Sequence, residues 1–220
     1  MLTMMTTLAL AAEGVGKDTL DIGVLKNTEV KVVQKMLFQK EDRMELGAHL
    51  GVMPFDGYTV APQLALTGAQ HISETMAAEV QLGVGYGFPS AVYTELEGPS
   101  YGVAVEAYRY LASAEASIQY TPVYAKLNLG GGRIVHHDVY VLGGAGVTVE
   151  QSMLPEADIA IAPTLPLGVG TRLFLSKTAM MRLELRDSML LEYRAQSATW
   201  GFKQNVALTA GIGVLLGETK

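Results

Sequence analysis

Residues 180–191 read MMRLELRDSMLL. Successive side chains of an extended chain point to opposite faces, so Met181, Leu183 and Leu185 share one face and Arg182, Glu184 and Arg186 the other. Alone, that alternation fits any half-exposed strand. Its neighbours narrow the choice. RMELGAHLGV (43–52) sets Met44, Leu46, Ala48, Leu50 and Val52 against Arg43, Glu45, Gly47, His49 and Gly51. AAEVQLGVGYG (77–87) sets Ala78, Val80, Leu82, Val84 and Tyr86 against Ala77, Glu79, Gln81, Gly83 and Gly85. The apolar rows are continuous, whereas the opposite rows mix Gly, Ala, Thr and isolated charges. A soluble eight-stranded barrel such as a lipocalin would reverse the faces and present a dense Lys and Glu exterior. The pattern therefore predicts an all-β fold, an antiparallel up-and-down barrel of outer-membrane type with its apolar side toward lipid.

Five further stretches follow the rhythm: TVAPQLALTG (59–68), SIQYTPVYAKLNL (117–129), IVHHDVYVLGGAGVTV (134–149), APTLPLGVGTRLFLS (162–176) and NVALTAGIGVL (205–215). With 43–52, 77–87 and 180–191 they make about eight strands, each near the ~9–11 residues that a tilted strand needs to cross a bilayer. Pro62 cannot donate to a ladder, so a bulge or unpaired position is expected there, and Pro122 leaves the facing of its strand open. Residues 88–116 break the rhythm. AVEAYRYLASAEA (104–116) has helix-forming composition, while YGVAVEAYRYL (101–111) equally fits an irregular strand; the stretch is read as a long loop carrying a short helix, and residues 194–203 as a second polar loop. Links after the second, fourth and sixth strands are short and those after the third, fifth and seventh longer, as expected of periplasmic turns and outer loops. The short PFDG link after the first strand breaks that scheme. Asp187 breaks another rule, because it shares the lipid face with Leu185 and Met189; a local bulge would re-aim it.

Composition excludes several classes of function. The chain is 49% hydrophobic and 17% charged with 24 glycines lacking a Gly-X-Y period, which fits a folded β protein. A formal charge of −6 with dispersed basic residues offers no footprint for nucleic acid. Without cysteine there is neither a disulfide framework nor a thiolate metal site. No apolar run is long enough for a membrane-spanning helix. The start, MLTMMTTLALAAEG, has the apolar core and Ala9-Leu10-Ala11 pattern of a cleavable signal without its usual basic residue. The expected organisation is a signal peptide over 1–12, a periplasmic segment over 13–41 and the barrel over 42–217.

A lumen of eight strands is just wide enough for side chains. Alternation aims Arg43, Glu45, His49, Glu79, Arg172, Arg182, Glu184 and Arg186 into it. Buried charges persist only when paired and hydrogen-bonded, so these residues are expected either to form an ion-pair network that plugs the barrel or to sit solvated in a wet lumen. His136-His137-Asp138 carries metal-ligand chemistry, but adjacent strand residues point apart and do not readily share one ion. No cofactor site is read, and Ser188 near Glu184 lacks any fixed base that would make it a nucleophile. Tyr58, Tyr86, Tyr124, Tyr140, Tyr193, Trp200 and Phe202 fall near strand ends, where amphipathic rings settle at headgroup level.

The stretches VVQKMLFQKEDRMELGAHLGV, YTPVYAKLNL, HHDVYVLGGAGV and GVGTRLFLSKTAMMRLELRD together resemble the outer-membrane β-barrel domain family of myxobacteria and related gliding or predatory bacteria, over roughly residues 30 to 216. The ending VLLGETK departs from the usual aromatic finish of such barrels. What the resemblance implies is a place in the bacterial outer membrane and a non-enzymatic role: a structural anchor or docking component, in gliding motility or adhesion. A narrow channel for small solutes is the alternative, and a lipid-modifying enzyme a more remote one. The expected partners are outer-membrane lipid and other envelope proteins, the latter through loops 88–116 and 194–203.

Overall fold

The computed structural model describes residues 39–55, 57–128, 134–156, 158–194 and 198–217. The expected signal peptide, and the expected periplasmic segment up to residue 38, lie outside them. In chain order the elements are β1 (Met44–Phe55), β2 (Thr59–His71), β3 (Met76–Gly85), β4 (Phe88–Pro89), α1 (Ala91–Glu97), β5 (Tyr108–Asn128), β6 (Ile134–Ser152), β7 (Ile159–Phe174), β8 (Ala179–Arg194), β9 (Thr199–Lys203) and β10 (Val206–Leu216).

Eight of these strands close a ring. Each pairs antiparallel with its neighbours in the order β1, β2, β3, β5, β6, β7, β8, β10, and β10 returns to β1. Register partners followed once around, from Met44 through Gln70, Ala78, Ile118, Gly143, Leu167, Asp187 and Val206, come back to β1 at the level of Pro54, a stagger of ten residues. A closed eight-stranded sheet with such stagger has its strands tilted by roughly 35–45°. Closure leaves no long unpaired edge, as spanning a bilayer with strands requires.

Side-chain facing follows the alternation. Leu50, Leu66 and Val80 are 69%, 53% and 54% exposed on the outside, while Glu45, Glu79 and Arg172 on the inside are 1–2% exposed. This is a soluble protein turned inside out. An apolar exterior that runs continuously around the ring is stable only against hydrocarbon.

Three local readings are corrected: the position of the helix, residues 108–116 and residues 199–203. The helix lies at Ala91–Glu97, where Ser90 caps it by accepting from the Tyr93 amide at 3.3 Å, and residues 108–116 belong to β5. Helical composition there is overridden because β3 needs a partner, and a register shift between Tyr110 and Ala112 obscures the period of two. Residues 199–203 form β9, which pairs with β8 up to Arg194 and Thr199, so half of the expected second polar loop is strand. At Pro62 there is no bulge but the unpaired position is found: Pro62 stays in register with Val52, while the β2–β3 pairing ends one residue away at Gln63 and Gly85. A register shift falls at Pro122, where the β5–β6 partners jump between Tyr120 and Val123.

The short first outer link is covered by its neighbour. After β3 the chain folds back so that β4 pairs with Thr59 and Val60, and the Ser90 amide donates to the Tyr58 carbonyl at 2.7 Å. Asp187 does remain on the outer side of β8, and it has a partner. The eighth strand is interrupted between β9 and β10, and Asp187 Oδ1 accepts from the Asn205 amide at 3.0 Å, while Ser188 N donates to the Asn205 carbonyl. The carboxylate thus completes a ladder at its break.

Candidate functional site

Facing, tilt and closure bring the polar rows of all eight strands into one narrow lumen, which is layered. At the end where β1 begins, Lys40 Nζ lies 2.6 Å from Asp138, and Arg172 reaches Asp138 at 3.4 Å and Glu45 at 3.1 Å. His71 Nε2 meets the same Glu45 at 3.1 Å. Above them Arg182 is the hub: it pairs with Glu45 at 3.3 Å, contacts Glu79 and Glu184, and donates from Nε to Tyr140 Oη at 2.5 Å. Tyr140 donates in turn to Glu184 at 2.6 Å, and its ring lies 4.2 Å from the Arg172 guanidinium carbon. Arg186 spans Glu79 at 2.8 Å, Glu184 at 2.8 Å and Glu115 at 2.7 Å. Gln119 donates to Glu79 at 2.7 Å and accepts from Arg172.

The physical consequence is mutual support. Each buried carboxylate of this set is within reach of a cation, and each arginine reaches two or more acceptors, which offsets the several kcal/mol per ion that desolvation costs. Glycine makes room for it. A side chain at Gly170 would collide with the Tyr140 hydroxyl, so the ring that bridges Arg182 and Glu184 needs a bare backbone across the sheet.

Of the residues aimed inward by alternation, Glu45, Glu79, Arg172, Arg182, Glu184 and Arg186 come together in this connected set. Arg43 does not join it; its guanidinium donates to the carbonyls of Lys177 and Leu215 at 3.1 and 3.0 Å, holding the ends of two strands. His49 is buried against Thr67 at 3.0 Å. Lys40, His71, Glu115, Gln119, Asp138 and Tyr140 also belong to the set; alternation alone does not assign them to it, and Asp138 and Tyr140 carry other expected roles. Glu115, Ser117 and Gln119 do alternate in period two, a signal hidden by the small residues before them and by Pro122 after.

Of the rings placed at headgroup level, Tyr140 is fully buried in the lumen and Tyr124 is partly buried against Phe174, Met180 and Leu215. Tyr86, Tyr193, Trp200 and Phe202 are exposed on the outside. The His136-His137-Asp138 cluster separates: Asp138 enters the lumen, and His136 Nδ1 lies 2.6 Å from the Tyr124 hydroxyl. Ser188 Oγ donates to Glu115 at 3.0 Å, with Arg186 on that carboxylate's other oxygen, so no histidine base acts on it in this arrangement.

Toward the opposite end the lumen changes character. Met53, Phe55, Ala61, Tyr108, Tyr110, Ala162, Leu190 and Ala207 form an apolar cluster, with the Phe55 and Tyr110 rings 5.9 Å apart. Beyond it Lys203 Nζ pairs with Glu192 at 2.9 Å and sits 3.9 Å from the Phe55 ring centre.

The N-terminal β-barrel domain of OprF from Pseudomonas aeruginosa has the same architecture: 81% of this chain aligns with all of that domain at a TM-score of 0.53 and 9% identity. The fold is that of an outer-membrane β-barrel. This barrel is also similar to Neisserial surface protein A (TM-score 0.46, 11% identity, 78% of this chain and 95% of that one) and to the attachment invasion locus protein Ail of Yersinia pestis (0.43, 13%, 80% and 99%). No family model and no curated protein matches the barrel's sequence.

Proposed function

We propose that the protein is a closed barrel of the bacterial outer membrane that serves as a structural anchor or docking component of an envelope assembly, in adhesion or gliding motility. The observation that carries this reading is the filled lumen. Beside Arg186 and Glu115 the interior leaves a cavity of about 10 Å³, room for no more than a single water, and the wider space of about 260 Å³ lies at the far end of the lumen beside Tyr108, Glu150 and Glu192. A barrel filled in this way is suited to holding a position in the membrane and presenting its outer end. That end carries the 86–107 connection, where β4 pairs with β2 and leads into α1, while Val92, Tyr101 and Val103 remain exposed. Exposed apolar side chains on an ordered support are what a partner surface requires.

Planar bilayer recording tests closure. Reconstituted wild-type protein is expected to give no stable single-channel steps; regular large steps would overturn the closed reading and favour a narrow solute channel. For docking, replacing Val92, Tyr101 and Val103 by serine should remove capture of envelope partners from detergent extracts without changing the protein's folded migration on unheated gels. Unchanged capture would count against this loop as the contact.

A further inference from the structure

We infer that the lumen is closed twice, by an ion-paired layer and by a separate apolar layer in series, so that opening either one alone leaves the barrel sealed. This inference rests on the closed-barrel reading and adds to it where the resistance to ions lies. The two layers are built from different residues of the same strands. On β8, Arg182, Glu184 and Arg186 serve the first and Leu190 the second. On β1, Glu45 serves the first and Met53 and Phe55 the second. On β5, Glu115 and Gln119 face the charges while Tyr108 and Tyr110 face the apolar cluster. The 10 Å³ cavity marks the boundary, with Glu115, Arg186 and Ser188 on one side and Phe55, Tyr110 and Leu190 on the other.

The two closures resist ions for different reasons. In the first, guanidinium and carboxylate groups occupy the space and satisfy one another, so a passing ion must displace a paired partner. In the second, Met53, Phe55 and Leu190 offer nothing to replace a hydration shell and the uncharged Gln63, Thr148 and Tyr110 hydroxyl beside them offer little, and a mainly apolar constriction stays closed by dewetting even where a gap exists. Loss of the ion pairs would expose water to the underside of the apolar layer without giving ions a way across it. Loss of the apolar layer would admit water from outside only as far as Arg186.

The test is single-channel recording on four proteins whose folding is checked by heat-modifiable migration. Arg182→Ala with Glu184→Ala opens the polar layer, Phe55→Ala with Leu190→Ala opens the apolar one, and the fourth protein carries all four changes. Each pair alone should match the silent wild type, and the combination should raise conductance roughly tenfold or more above the bilayer baseline. Conduction by the Arg182 and Glu184 pair alone would show that the apolar layer seals nothing, and conduction by the Phe55 and Leu190 pair alone would show the same of the ion pairs. A silent combination would also overturn the inference, because it would place the closure elsewhere. If a pair does not fold, Glu79→Ala with Arg186→Ala, or Met53→Ala with Tyr110→Ala, takes its place. Conduction by the wild type is a different failure, that of the closed-barrel reading itself.

Discussion

Arg182 touches three carboxylates and a tyrosine, all buried, so its value lies in what its removal would strand. Arg182→Ala leaves Glu45, Glu79 and Glu184 to share the remaining arginines, and breaking a buried pair from one side costs about 3–5 kcal/mol. Urea unfolding in detergent micelles should show that loss, and a smaller one when Glu184→Ala accompanies it; a double loss equal to the sum of the two single losses would mean the residues act independently. Asp187 makes an opposite case, a single carboxylate with one backbone partner at the edge of lipid. Asp187→Ala should cost about 1 kcal/mol in the same assay because it leaves the Asn205 amide without its acceptor, whereas Asp187→Asn keeps an oxygen there and should cost less. If alanine and asparagine behave alike, the contact contributes nothing measurable.

Among the elements, β8 and β9 rise as one hairpin at the outer end, and Tyr193 packs edge-on against Trp200 with ring centres 5.5 Å apart. Trp200 is the chain's single tryptophan and is 65% exposed on the outer face, so its emission reports this hairpin alone. Amphipathic rings favour the membrane interface. In lipid vesicles Trp200 emission should be shifted to shorter wavelength and quenched by lipids brominated near the headgroup; red-shifted emission quenched by acrylamide would place the hairpin in water. The same element scale shows how far sequence reached. Periodicity found the strands with clean alternation and, in 88–116, found that a helix existed but not where. Ala112 to Ala116 is strand because β3 and β6 flank it, Tyr108 to Tyr110 because β6 continues beside it, and Thr199 to Lys203 because β8 extends past the ring; none of these causes is local.

At the scale of the molecule, an apolar exterior and an ion-paired interior make folding and membrane insertion one event, since neither surface tolerates the other's solvent. The protein should therefore fractionate with membranes, require detergent for extraction, and migrate differently on gels before and after heating. Detergent-independent solubility of the folded chain would overturn the topology.

What the sequence alone determined is the two-faced strand and, through it, the barrel: period two is a property of extended backbone, and RLELR alternates whether or not its partners are known. It also determined that charges at 45, 79, 172, 182, 184 and 186 point the same way as the glycines. Tertiary structure alone decided who pairs with whom. Glu79 and Arg186 are 107 residues apart and meet only because the sheet closes with a stagger of ten residues, and the same closure draws Lys40, Glu115 and Asp138 into the set. Alternation specifies a face; closure and register specify a neighbour.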